Sequence, residues 1–193
     1  MKIAPVDSVL FAKSLIVCAE QREICISNLK LQKLAYYCQG YTLALMEQQL
    51  FDGKIVAWEH GPVVPAMYHE FKDFGSNSIP ATYSSDLLTA IPDVFLDIVN
   101  FVLDKFGKIG PWDLVHRTHG EDPWLAHYDN EAKAVDGSEI THEELKLFFC
   151  QEVDRMQDAS FARLLDSLDS QLIELPQEVT NKEQFFSWLQ GGK

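Results

Sequence analysis

Six histidines are the residues whose chemistry we weigh first, because imidazole is a frequent metal ligand and an acid–base group near neutral pH. His116, His119 and His127 lie close together in sequence, and the spacing of the first two can place both on one side of a helix. Gly120 would end that helix, and none of the metalloprotease spacings such as HExxH occurs. A metal site is therefore a weak hypothesis. Its alternative is a structural histidine that donates to a backbone carbonyl near Trp124.

Nucleophilic and acid–base catalysis have no more support in the sequence than a metal site has. The sequence contains no GxSxG elbow and no glycine-rich phosphate loop, and its four cysteines form no CxxC pair. Carboxylates are abundant, but Asp and Glu on helix exteriors are ordinarily solvated. We therefore predict that the protein is not an enzyme and binds no cofactor or metal, with a metal-dependent hydrolase as a distant alternative.

Composition and charge limit the classes of partner. Hydrophobic residues make up 47% of the 193 residues, which is enough for a normal core. The net charge of −13 opposes phosphate backbones and anionic membranes, so we expect no direct nucleic-acid binding and no membrane binding. The first residues lack the apolar run of a signal peptide, and the cysteine usage fits a reducing compartment. These features predict a cytoplasmic protein.

The negative charge is concentrated toward the C-terminus. Residues 111–193 carry 17 acidic and 7 basic side chains, a balance of −10, whereas residues 1–50 carry 4 acidic and 5 basic ones. Opposite charge speeds the encounter of two proteins and disfavours wrong pairings. The acidic part of the chain is therefore suited to a protein partner with a basic face.

Helical periodicity dominates the elements that must position these residues. The clearest pattern spans 27–46, where one apolar stripe runs along a helix long enough to be a central strut and leaves Lys30 and Lys33 outside it. Helix signals also occur over 7–20, 64–74, 92–107, 111–116 and from 122 onward.

The C-terminal third contains two capping boxes. Thr141 with Glu144 predicts a helix that begins at His142 and runs to about residue 156, and helical spacing continues to about 172. A second box predicts a short terminal helix over 180–189, whose large apolar side chains must be covered by the core or by another protein.

One short ribbon is the only β-structure that the sequence predicts. Its signal is the Asp52-Gly53 turn followed by β-branched and aromatic residues up to Trp58, and Gly61-Pro62 should end the ribbon and lead into a helix. We therefore predict a mainly α fold, a compact helical domain with one small β-hairpin or ribbon and a C-terminal helical appendage.

Three short motifs follow one another in the chain. They contain Gln32, Lys33, Tyr36 and Tyr37 in 31–40; Trp58, Gly61, Pro62 and Val63 in 57–65; and His119, Pro123 and Trp124 in 118–124. In order and spacing these motifs resemble the Panacea domain, a helical family found beside phage and plasmid genes as the antitoxin half of toxin–antitoxin pairs, with SocA-like and GepA-type phage-associated members. The resemblance spans about 7–156, which leaves 157–193 as a C-terminal helical extension.

The resemblance implies an antitoxin that binds a co-encoded toxin and suppresses it by direct protein–protein contact. The acidic C-terminal part suits a basic cognate toxin. A second hypothesis, from another class, is a proteolytic adaptor that delivers a partner protein to a chaperone-protease. The adaptor needs two binding surfaces, whereas neutralisation needs one.

The motif residues themselves have two interpretations. Large aromatic side chains dominate binding sites once they are desolvated at an interface, so the motifs are candidates for partner contact. The favoured interpretation for most of them is architectural, since Trp58 and Trp124 are large anchors whose indole N–H groups need partners. Tyr36 and Tyr37 diverge by about 100° on a helix, so only one can join the main apolar stripe.

Overall fold

Eight α-helices and a small antiparallel sheet make up residues 3–128 and 137–172, the part of the chain that the computed structural model describes. The helices are α1 Ser8–Glu20, α2 Asn28–Met46, α3 Pro65–Phe71, α4 Asp93–Phe106, α5 Pro111–Thr118, α6 Asp122–Leu125, α7 His142–Asp154 and α8 Ala159–Leu172. The strands are β1 Ile55–Trp58, β2 Gly61–Val63 and β3 Ser138–Ile140, and two 3₁₀ segments span Lys72–Phe74 and Ser85–Ala90. The predicted mainly α fold is confirmed, while the predicted helix over 180–189 lies outside the described residues.

Local capping sets the start of the helices, as the sequence predicts. The Asp7 carboxylate accepts a hydrogen bond from the Leu10 amide at 2.8 Å, and α1 begins at the next residue. Both halves of the capping box of α7 form, with Glu144 Oε2 accepting from the Thr141 amide at 2.8 Å. These side chains satisfy amides that the first helical turn leaves without a partner.

Helix α2 is the central strut, and it packs against α4, α5, α7 and β2. The expectation that Lys30 and Lys33 lie outside the buried stripe is wrong, because both are buried and Lys33 is completely inaccessible. An amphipathic stripe presupposes one solvated side, but α2 is surrounded along most of its length. The Nζ of each lysine donates a hydrogen bond to a backbone carbonyl. Lys30 donates to Gly107, and Lys33 donates to Pro62.

The sheet has the strand order β2-β1-β3 and departs from the predicted ribbon. Its hairpin turns between Trp58 and Gly61, not at Asp52-Gly53, so Gly61-Pro62 forms the second strand instead of ending the ribbon. Proline is compatible with β2 because β2 is an edge strand. In an edge strand alternate backbone amides point away from the neighbouring strand and need no partner in the sheet.

Strand β3 was not predicted, because its pairing partner is distant in sequence. Ile140 pairs with Ile55, and only three residues take part, too few for a period-two pattern to stand out. The predicted helix over 64–74 is α-helical only to Phe71 and continues as a 3₁₀ turn that ends at Gly75, where φ is +55°. The helix predicted to about residue 156 ends at Asp154.

An aromatic cluster joins α2, α4 and α7. Tyr37 stacks on Phe106 with centroids 4.1 Å apart, and Tyr36 and Tyr41 meet the Phe149 ring edge-on at 5.4 and 4.8 Å. All of these rings are buried. None of the described helices combines the length and apolarity needed to cross a membrane.

Candidate functional site

The three motif segments meet in space, between α2, the sheet and the α5–α6 corner. Every motif residue singled out from the sequence is buried except Trp58 and His119, which are half-buried. The segments are therefore brought together as a buried cluster, which we call the motif cluster: Gln32, Lys33, Tyr36, Tyr37, Trp58, Gly61, Pro62, Val63, His119, Pro123 and Trp124.

Lys33 occupies the centre of the motif cluster. Its Nζ donates to the Pro62 carbonyl at 2.7 Å, and burial lowers the pKa of this amine well below its usual range although the Glu121 carboxylate acts in the opposite direction. A Cβ at Gly61 would lie 2.7 Å from Lys33 Nζ and 2.7 Å from Thr118 Oγ1, and its φ is +94°. Glycine is therefore required where the sheet approaches α2.

Gln32 ties α2 to the chain that leaves the sheet. Its Oε1 accepts from the Val64 amide at 3.0 Å and its Nε2 donates to Asn28 Oδ1 at 2.8 Å. Asn28 in turn donates to the Tyr68 carbonyl at 3.0 Å. These side-chain amides fix the junction between β2 and α3, which follows Val63 directly.

Glu121 is a further buried titratable group, in contact with the motif cluster, that we did not single out from the sequence. Tyr37 Oη donates to Glu121 Oε1 at 2.8 Å, and Arg117 Nε lies 3.6 Å from the same oxygen. Burial raises the pKa of this carboxyl to about 7 against the opposing effect of the tyrosine hydrogen bond. Among the described residues, Glu121 Oε2, Tyr36 Oη and His119 Nε2 are buried without a hydrogen-bond partner.

Trp124 anchors α6 to the sheet. Its Nε1 donates to the Trp58 carbonyl at 2.9 Å, which supplies the partner that the indole requires. His119 stacks on one side of the ring with centroids 3.9 Å apart, and Tyr128 stacks on it at 4.5 Å. His119 also hydrogen-bonds with the Glu59 backbone, and burial lowers its pKa, so it is a neutral structural histidine.

The remaining histidines of the metal hypothesis do not gather around His119. His116 is exposed, and His127 lies 2.8 Å from Glu144 Oε1 and 2.9 Å from Ser138 Oγ. Within 3–128 and 137–172, no three His, Cys, Asp or Glu side chains are arranged to hold a metal ion. The motif cluster can hold or release a proton at Glu121, and its other polar groups fix the relative positions of α2, the sheet and α6.

Replacing Tyr37 by phenylalanine should destabilise the protein by about 1 to 3 kcal/mol, because buried Glu121 Oε1 loses its hydroxyl donor. The loss should be larger at pH 8 than at pH 5, since the missing hydrogen bond favours the charged carboxylate. Urea unfolding of wild type and variant at pH 5 and pH 8 measures this loss of stability. Tyr41→Phe is the matched control, because Tyr41 is a buried tyrosine of the same helix that acts on Glu121 through charge alone. A cost equal to that of Tyr37→Phe would contradict the assignment.

A surface groove lies next to the motif cluster, between α6 and α7. It has a volume of about 150 Å³ and is lined by Asp122, Pro123, Ala126, Glu144, Leu147, Phe148 and Gln151. We did not predict it from the sequence. The sequence feature that indicates the groove is the apolar run 147–149 in α7. Leu145 and Phe149 form the buried side of that helix, so Leu147 lies on another side and is exposed.

Comparison with known proteins connects this geometry to a family. The family model described as "Antitoxin SocA-like, Panacea domain" matches residues 31–125. Antitoxin SocA of Caulobacter vibrioides (strain NA1000 / CB15N) is 33% identical over an alignment of 129 residues that covers 62% of this chain and 69% of that protein. The chain belongs to the SocA-like Panacea family. No solved structure matches it.

The matched Panacea segment contains the whole motif cluster and ends at the last residue of α6. Helix α7, the other wall of the groove, lies beyond it. The family motifs thus coincide with buried architecture, whereas the groove combines a wall inside the matched segment with a wall outside it.

Proposed function

We propose that this Panacea protein is an antitoxin that neutralises a co-encoded toxin by direct binding and without catalysis. The observation that carries the proposal is its 33% identity over 129 residues to a protein named as an antitoxin. The matched family segment includes every residue of the motif cluster.

Burial supports a division of roles between scaffold and surface. The motif residues bind one another across α2, the sheet and α6, so in this proposal most of them position the partner-binding surface, and exposed side chains make most of the contacts to the toxin. This assigns specificity to exposed positions, where substitution costs little stability. The four cysteines are free thiols, as is usual in the reducing cytoplasm where we place the pair.

The proposed domain spans 7–156, with 157–193 as a helical extension. Part of this extension, α8, packs on α4, where Phe161 contacts Phe101 with centroids 5.9 Å apart and Ser167 Oγ donates to Asp97 Oδ2 at 2.6 Å. In this proposal the described part of the extension covers a face of the antitoxin domain.

Co-expression with the neighbouring reading frame tests the proposed function. The neighbouring product alone should arrest growth of a bacterial host, and co-expression of this chain should restore growth and yield a stable complex of fixed stoichiometry. Continued arrest with both proteins present would contradict the proposal. Growth that recovers only when a chaperone-protease is active, with loss of the toxin, would favour the adaptor hypothesis.

A further inference from the structure

We propose that the toxin docks in the groove between α6 and α7, and that it does so with an amphipathic helix carrying one apolar anchor flanked by lysine or arginine. The inference rests on the proposed function and adds to it the surface and the chemistry of the contacting segment.

The groove exposes apolar side chains that water solvates poorly. Leu147 is 66% exposed and Phe148 is half-buried beside it. The volume of about 150 Å³ is close to that of an engineered apolar cavity that holds benzene. One aliphatic or aromatic side chain of a partner therefore fills the groove, and covering Leu147 removes its exposed surface from water.

The outer side of α7 has the spacing of a helix-binding surface. Glu144, Leu147, Phe148 and Gln151 follow one another at intervals of three, one and three residues, which places them on one side of the helix. Together with Pro123 of α6 they form two walls of one depression. An amphipathic helix that presents its apolar side to such a depression is a recurrent mode of recognition.

The charges around the groove select a basic partner. Asp122 and Glu144 line it, exposed Glu143 adjoins it, and the described lining residues include no lysine or arginine. Glu144 is ionised at neutral pH, since its hydrogen bond from Thr141 lowers its pKa to about 2, and it also contacts His127. A lysine or arginine beside the anchor of the partner would meet these carboxylates at the rim, where opposite charge raises the association rate.

The two walls of the groove differ in how they relate to the family. Helix α6 belongs to the matched segment 31–125 and is held by Trp124, whereas α7 lies outside that segment. In this proposal the wall inside the matched segment is fixed by buried motifs, and the wall on α7 supplies exposed positions that can differ between partners. This arrangement places the choice of toxin on the outer side of α7.

Leu147→Arg in the full chain tests the docking surface. We expect the Kd for the purified toxin to rise at least about tenfold and growth rescue to be lost, because the substitution removes the apolar contact and adds a positive charge facing a basic partner. Leu165→Arg on α8 is the matched control, since Leu165 is also exposed, at 39%. It should change the Kd by no more than about twofold.

The outcomes separate this inference from the proposed function. If Leu147→Arg unfolds at the same urea concentration as wild type and still binds the toxin with unchanged Kd, the groove is not the docking site, although the chain remains an antitoxin. A wild-type chain that binds no toxin would overturn both. An association rate that does not fall as salt is added would overturn the basic chemistry assigned to the partner.

A cross-linking experiment identifies the occupant directly. A photoreactive phenylalanine analogue in place of Gln151, at the groove, should cross-link to a helix of the toxin that contains lysine or arginine. A cross-link to a second copy of this chain, or to its own residues 173–193, would overturn the proposal. The same analogue in place of Leu165 is the control and should give no cross-link to the toxin.

Discussion

Gly40→Ala should lower the free energy of unfolding by about 2 kcal/mol or more, although alanine is the better helix former. A Cβ at this position would overlap with the ring carbons of Phe149 and would lie 2.6 Å from its Cζ. The helix propensity of alanine returns about 1 kcal/mol, while overpacking a core commonly costs about 1 to 3 kcal/mol and sometimes more. The upper end applies because Phe149 is buried between three tyrosines. Urea unfolding measures the loss.

Gly120→Ala is the matched control for this prediction. A Cβ at Gly120 would meet only the Arg117 carbonyl oxygen, at an ordinary 3.5 Å, so the change in stability should stay within about 0.5 kcal/mol. The double variant Gly40→Ala with Phe149→Leu tests the cause. The loss of stability of the double variant should be smaller than the sum of the losses of the two single variants, because a smaller, more flexible side chain relieves the overlap. Additive losses would show that Gly40 is required for another reason.

Glu121→Gln should stabilise the protein at pH 8 and leave its stability nearly unchanged at pH 4. The folded protein raises the pKa of Glu121 from 4.5 to about 7, so between these values the folded state binds a proton that the unfolded state has lost. The stability that this carboxyl contributes is therefore complete below about pH 4.5 and is lost as the pH rises through about 7. Its size is about 3 kcal/mol. Glutamine imitates the protonated carboxyl at every pH.

The measurement is urea unfolding of wild type and variant from pH 4 to pH 8, with the difference plotted against pH. Comparing the two chains cancels the contributions of groups that do not interact with Glu121. Lys33 does interact with it, and loss of the Glu121 charge lowers the pKa of this amine further, so Lys33 contributes to the difference between the chains. Glu144→Gln is the control. The pKa of Glu144 is lowered to about 2, so its contribution is lost only as the pH falls from about 4.5 toward 2, and the difference for this variant should vary little between pH 5 and pH 8. A difference that does not vary with pH would show that Glu121 is not a buried, titrating group.

Local signals in the sequence were sufficient for most of the helical framework. The predicted ranges 7–20 and 27–46 begin at Asp7 and Ser27, and the capping box predicts a helix after Thr141. Each of these three residues caps the helix that follows it through its own side chain. These contacts join residues no more than three positions apart, so the sequence pattern contains all that is needed to predict them.

Features that depend on distant partners could not be predicted in this way. Lys33 appears solvated in a helical projection, and only the approach of Pro62 from the sheet makes its burial favourable. Strand β3 exists because Ile140 meets Ile55, and the groove exists because Pro123 lies opposite Leu147. The resemblance to the Panacea family pointed to the residues of the motif cluster, but their burial required the structure.

The edge strand β2 has a consequence for how copies of this protein behave at high concentration. An open sheet edge invites strands from other molecules, and stacking of this kind leads to fibrils. Pro62 has no amide hydrogen to offer, and its carbonyl is already used by the buried amine of Lys33. All three residues of β2 are also buried, and the strand packs against α2 and α5. The helices that surround Lys33 therefore cover this margin of the sheet, so copies of the folded chain cannot add strands along it.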